Sequence, residues 1–108
     1  MKPTYRFIAN KPNPYRIINC KTYLVNINYI SSNKHDNYIH SIPNYDRIKE
    51  LNELYNQGHD IHYWTNRGLD NDKKYNFLTY RQLHEWKALY CSLSIGKPKF
   101  NNQVYELS

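Results

Sequence analysis

Thr65, Asn66 and Arg67 follow one apolar run of the chain, and Gly96 and Lys97 follow another. A hydroxyl, a guanidinium, an ammonium and the amides of two turns are groups that hold an anion, phosphate above all. Asn26 and Asn28 lie in an earlier apolar run, and Tyr105 and Glu106 in the last one. If those four runs are neighbouring strands, their chemistry-bearing residues stand together along one edge of a sheet. The set contains no nucleophile beside a base and no group of carboxylates for a cation. It is equipped to bind rather than to react.

Five histidines, His35, His40, His59, His62 and His84, raise the question of a metal. His59 and His62 face opposite sides of an extended segment, whose side-chain period is two. No cysteine or carboxylate completes a tetrahedral set by spacing, so no metal site is assigned. The histidines read as polar surface residues or satisfied hydrogen-bonding groups. Cys20 and Cys91 are too few for a disulfide scaffold and lack zinc-finger spacing. They read as reduced thiols of a cytoplasmic protein, with Cys91 in the core at a strand start. Trp64 and Trp86 read as core residues where helices cover a sheet.

The elements that must position the candidate residues follow from the hydrophobic pattern. Residues 23–30 (YLVNINYI) read as a buried strand and 31–43 as a loop or small flap. Asn44 reads as an N-cap with Asp46 in the first turn of a helix. Ile48, Leu51, Leu54 and Tyr55 follow at helical spacing, and Gly58 stands where a C-terminal glycine belongs. Residues 60–65 (DIHYWT) read as a second strand. A polar loop over 68–78 gathers Asp70, Asp72, Lys73 and Lys74. Thr79 with Gln82 three residues on reads as a capping box, opening a helix with Leu83, Trp86 and Tyr90 on its apolar face. Residues 91–95 read as a third strand, 96–98 as a turn and 103–107 as a fourth strand. This alternation implies an α/β fold, a small open parallel sheet of the Rossmann-like kind with helices on both faces. In such sheets ligands bind beyond the carboxyl ends of the strands.

With 108 residues, 40% of them apolar, the chain fits one domain with a real core. Three glycines and five prolines exclude collagen-like and linker sequences. No apolar run has the length of a membrane span or of a signal peptide, so neither is expected. The net charge of +6 is uneven. Residues 1–35 hold Lys2, Arg6, Lys11, Arg16, Lys21 and Lys34 and no acid, whereas the remainder holds nine basic and nine acidic residues. The pattern divides the chain into a basic N-terminal arm, 1–21, and a domain, 22–108. Such an arm is either a solvated, solubilising segment or a dock for nucleic acid or an acidic partner. Its Tyr5, Phe7, Tyr15, Ile17 and Ile18 imply that it packs against something, a neighbouring subunit being one candidate. The twelve tyrosines have a second reading as a subunit interface, because they bury area while keeping a polar tip.

From about residue 22 onward the chain resembles the small, minimally capped phosphatases of the haloacid dehalogenase superfamily, especially those near capsule and lipopolysaccharide sugar genes. The matching stretches are PNYDRIKELNELYNQGHDIHYWTNRG (43–68), LTYRQLHEW (78–86) and GKPKF (96–100). The resemblance implies a first strand ending in Asp-x-Asp-Gly-Thr, where the first Asp attacks phosphorus and the second moves the leaving-group proton. It also implies a Thr or Ser and a Lys on the phosphoryl oxygens, and an acidic pair completing a magnesium site. Thr65 and Lys97 match the binding positions. The nucleophile position is Asn26, the acid/base position Asn28 and the glycine position Tyr29, while the acidic pair has become Tyr105-Glu106. A carboxamide is a poor nucleophile, does not titrate near neutrality and is a weak ligand for a hard cation. The expectation is therefore a catalytically inactive pseudo-phosphatase without magnesium. It would bind or scaffold a phosphorylated sugar or a polysaccharide-biosynthesis enzyme, with anion-binding residues Thr65, Asn66, Arg67 and Lys97. Relatives without a large cap commonly close their sites by assembling, so the resemblance also implies a homo-oligomer. A residual magnesium-dependent sugar-phosphate phosphatase using Glu106, Asp36 or another carboxylate is one alternative. A module binding nucleic acid or an acidic partner through the arm is another.

Overall fold

The computed structural model describes residues 5–33, 38–67 and 76–108. Three central strands, β2 (Thr22–Asn26), β5 (Asp60–Thr65) and β6 (Ser92–Ile95), run parallel with β7 (Tyr105–Leu107). An antiparallel edge strand, β1 (Arg6–Asn10), completes a mixed five-stranded sheet of order β1-β6-β5-β2-β7. The sheet expected to be wholly parallel thus carries one antiparallel edge. That edge comes from the stretch assigned to a basic arm. Asn13, 3% exposed, anchors the segment after β1 to the domain: its Nδ2 donates to the Tyr55 and His59 carbonyls, both at 2.8 Å, and its Oδ1 accepts from the Tyr15 amide.

The 23–30 run divides where its chemistry changes. β2 stops at Asn26, whose side chain caps α1 (Ile27–Ile30), a single helical turn that buries Ile27 and Ile30. A two-stranded hairpin comes next, β3 (Ser31–Ser32) against β4 (Ile42–Pro43), with a 3-10 turn at Tyr38–His40. Asn44 caps α2 (Tyr45–Asn56), accepting from the Arg47 amide, and Asp46 sits in the first turn as the spacing predicts. After α2, Gly58 adopts φ +99°, and a Cβ there would stand 2.5 Å from the Tyr15 carbonyl oxygen. The glycine serves both the turn and the close passage of the N-terminal segment.

α3 spans Asn76–Glu85, so Thr79 and Gln82 lie inside the helix instead of opening it. Both are buried, at 0% and 5% exposure, and their side chains face inward to a polar partner. Their spacing fits a capping box, but the same spacing places both on one helical face.

Moving from β2 to β5 to β6 is two steps in one direction, so right-handed crossovers put α2 and α3 on the same face. There Val25, Ile48, Leu51, Ile61, Tyr63, Leu83, Trp86 and Leu93 form one apolar cluster. The return from β6 to β7 reverses direction and crosses the other face. On that face Phe100 packs on His62 with ring centroids 4.7 Å apart, and Asn102 donates to Thr22 Oγ1 at 3.2 Å. The sequence predicts helices on both faces; among the described residues the second face is instead covered by the segment between β6 and β7, which opens with Lys97-Pro98 and forms no helix. No helix among the described residues is long and apolar enough to cross a membrane. Lys2, Lys34, His35, Asp36, Gly68, Asp70, Asp72, Lys73 and Lys74 lie outside the described residues.

Candidate functional site

The carboxyl ends of β2, β5 and β6 present the candidate residues along one edge, but as separate groups with different fates. At the end of β2 the Asn26 carboxamide oxygen accepts from the Asn28 amide at 2.9 Å. Asn28 is exposed on the first turn beyond the strand. Neither side chain is a carboxylate, and Asn26 is turned back on its own chain as a helix cap.

At the end of β5, Thr65 is buried and its Oγ1 accepts from the Arg67 amide at 3.1 Å, closing a tight turn with Asn66 exposed at its tip. Arg67 turns inward, 4% exposed. Its guanidinium donates to Gln82 Oε1 at 2.7 Å, Ser41 Oγ at 2.9 Å and Thr79 Oγ1 at 3.4 Å. It also stacks on the Tyr38 ring, 4.6 Å from the centroid. Gln82 in turn donates to the Tyr38 carbonyl at 2.6 Å. The acceptors are neutral, so loss of water dominates and lowers the Arg67 pKa, while the Tyr38 phenol acts in the opposite sense. This guanidinium joins the β5 turn, the hairpin and α3 into one unit.

Lys97, after β6, reaches back over the second face. Its ammonium lies 6.0 Å from the Trp64 ring centroid and forms an ion pair with Glu106 on β7. Both side chains of the pair are about half exposed, so the pair contributes about 0–1 kcal/mol. Trp64 is accordingly a half-buried platform, whereas Trp86 belongs to the core. Tyr105 points to the opposite side, 43% exposed, stacked on Tyr23 at 5.6 Å with Lys21 over its ring. The structure brings Lys97 and Glu106 together, seats Arg67 by Thr65, and joins the two groups by no hydrogen bond or ion pair among the described residues.

Histidines and cysteines have structural neighbours. His59 Nδ1 accepts from the Lys21 amide, and His62 Nδ1 pairs with Ser92 Oγ at 2.6 Å. Burial lowers the His62 pKa, against the pull of Asp60. Burial pushes the Cys91 thiol up to about 11. Asp60 stands between the sulfurs, 3.6 Å from Cys91 and 3.9 Å from Cys20, with Arg16 at 3.3 Å. One carboxylate thus contacts both sulfurs, and both cysteines are free thiols. Among the described residues no three His, Cys, Asp or Glu side chains gather around a cation position.

A groove of about 440 Å³ opens beside α1, walled by Asn28 and Tyr29, the hairpin residues Ser32, Ile42 and Pro43, and the first turn of α2. Arg47 braces its wall: Nη1 donates to the Tyr29 carbonyl at 2.9 Å and the guanidinium stacks on the Tyr29 ring at 4.3 Å. Sequence reasoning placed Asn28 and Tyr29 at the site but missed Tyr45, Asp46 and Arg47 as lining groups. It also missed Tyr38, Ser41, Thr79 and Gln82 around Arg67. A sequence signal did exist, because Thr79 and Gln82 fall on the same side of the helix as Leu83 and Trp86. No protein-family model, curated protein or solved structure matches the chain.

Proposed function

We propose that the chain is a non-catalytic binding or scaffolding domain, a pseudo-phosphatase in the sense of the haloacid dehalogenase resemblance. The observation that carries this reading is the end of β2. There the residues that the resemblance aligns with the attacking and proton-transferring carboxylates are both carboxamides, and one is spent as a helix cap at 2.9 Å. Four parallel strands with Thr65, Lys97 and Glu106 at or near their carboxyl ends support the same reading. The residues at these positions do not fit magnesium. Asn26, Asn28 and Tyr105 supply no carboxylate, which leaves Glu106 as the single carboxylate among these positions.

The cation open to a ligand in this reading is Lys97. Its half-exposed pair with Glu106 is weak enough for a phosphorylated sugar to displace the carboxylate. Arg67 contributes by shaping the turn, since its donors already serve Ser41, Thr79 and Gln82. Assembly into a homo-oligomer and a polysaccharide-biosynthesis enzyme as partner belong to the same proposal.

Phosphate release from p-nitrophenyl phosphate and hexose phosphates, with and without magnesium, is the test. No release above a protein-free control is expected, together with metal-independent thermal stabilisation by glucose 6-phosphate that Lys97→Ala abolishes. Metal-dependent turnover lost in Glu106→Gln would overturn the reading in favour of a residual phosphatase.

A further inference from the structure

The chain steps from β2 outward to β5 and β6, then returns to β7 on the other side of β2. The strand order therefore reverses between β2 and β7, and in open α/β sheets ligands lie beyond the carboxyl ends of the strands at that point. Asn28 and Tyr29, the second and third residues after β2, are walls of the 440 Å³ groove. Topology and cavity thus point independently to one place, and its volume lies within the usual range of small-molecule sites.

The groove has a definite chemical character. Asn28, Ser32, Tyr45 and Asp46 are exposed along it, and no intramolecular hydrogen bond or ion pair among the described residues engages their side chains. Together they offer a carboxamide that donates and accepts, two hydroxyls that do both, and a carboxylate that accepts. Tyr45, 60% exposed, and Ile42, 61% exposed, add an aromatic face and an apolar rim beside Pro43. Interspersed donors and acceptors around an apolar platform match a ligand with a hydroxyl rim and a C–H face. A phosphate matches poorly. Asp46 repels it, the nearest guanidinium is committed to Tyr29, and Arg67 and Lys97 are not among the lining residues.

We infer that this groove is a binding site for an uncharged sugar, held by Asn28, Ser32 and Asp46 with its ring against Tyr45. The inference rests on the chain being a binding domain and not an enzyme, but not on Lys97 capturing phosphate. Saturation-transfer NMR on the full chain, with D-glucose, D-galactose and N-acetyl-D-glucosamine as probes and inorganic phosphate and glucose 6-phosphate as comparison arms, tests it. Transfer to the ring C–H protons of at least one uncharged sugar is expected. Tyr45→Ala and Asp46→Asn should each weaken that binding tenfold or more, and Lys99→Ala, at an exposed residue that does not line the groove, should leave it unchanged. Both variants alter exposed residues of the first turn of α2, and a preserved melting temperature shows that they fold. Absence of transfer to every uncharged sugar, or transfer indifferent to both variants, overturns the inference. Binding of glucose 6-phosphate alone, lost in Lys97→Ala, would sink the groove and leave the phosphate reading standing. Turnover of sugar phosphates would sink the non-catalytic reading whatever the groove binds.

Discussion

Replacing Arg67 by Met tests the polar unit that closes the β5 turn. The substitution keeps an unbranched stem and removes the fork that holds Gln82 at 2.7 Å and Ser41 at 2.9 Å. The contact to Thr79, at 3.4 Å, is long and counts for little. A hydrogen bond to a charged group contributes about 1.5–3 kcal/mol. Against this stands the desolvation of a buried cation, several kcal/mol in general, which Met does not incur. These two terms nearly cancel, so the deciding term is what the substitution leaves behind. Ser41 keeps the Tyr38 carbonyl as a partner at 2.8 Å, but Gln82 Oε1 loses its donor at a site 5% exposed. An orphaned buried acceptor costs about 1–3 kcal/mol, so a net loss of about 2 kcal/mol is expected. Urea unfolding followed by tryptophan fluorescence should show the midpoint falling by about 1 M, for an m-value near 2 kcal/mol/M. Adding Gln82→Leu removes the orphan. The Tyr38 carbonyl still accepts from Ser41, so the double variant should regain about 1 kcal/mol over Arg67→Met. A midpoint at or above that of the unaltered protein in Arg67→Met, or strict additivity in the double variant, would refute this reasoning.

Three further outcomes are expected from the packing. Burial holds the folded His62 pKa below the unfolded value of about 6.5, so its contribution to stability is complete above that value and is lost as the pH falls from there through the lower, folded pKa; His62→Gln should flatten the stability profile below about pH 6.5. Gly58→Ala combines a φ of +99° with a Cβ 2.5 Å from the Tyr15 carbonyl oxygen, and should cost about 2–4 kcal/mol in denaturant unfolding while Gln57→Ala costs under 1. Iodoacetamide at pH 8 should label the half-buried Cys20 in the folded protein and reach Cys91, its thiol pushed up to about 11 by burial, only after unfolding, as peptide mass spectrometry would show.

The sequence was most informative where local signals agreed with burial. Asn44, Asp46 and the spacing of Ile48, Leu51, Leu54 and Tyr55 define α2 to within a residue, and DIHYWT is β5 from end to end. It misled where one residue type has two local meanings. Asn26 inside an apolar run reads as strand, yet its side chain is also a good helix cap, and the cap prevails because α1 then buries Ile27 and Ile30. Fifteen asparagines hid Asn13 in the same way, although its carboxamide makes three hydrogen bonds that bind the N-terminal segment to the domain. β1 is hard to read because its five residues lie in a basic stretch without strict alternation, and Arg6, Phe7 and Asn10 are exposed. That no helix among the described residues covers the second face depends on a reversal of strand order, which no local pattern encodes.

For the candidate site, residue types were legible and partners were not. Two cations stand at the carboxyl edge, and a sequence reads each as available to an anion. Folding decides otherwise by distance: Arg67 lies within 3 Å of Ser41 and Gln82, and Lys97 pairs with Glu106 across the Trp64 ring. The two commitments differ in strength. Arg67 is held by a buried network whose loss leaves an orphan, so it cannot be recruited by a ligand without opening the hairpin. Lys97 sits in a half-exposed pair that a competing dianion can displace for little. Salt should separate them for the same reason, weakening any capture at Lys97 within a Debye length of about 8–10 Å while leaving the Arg67 network almost untouched.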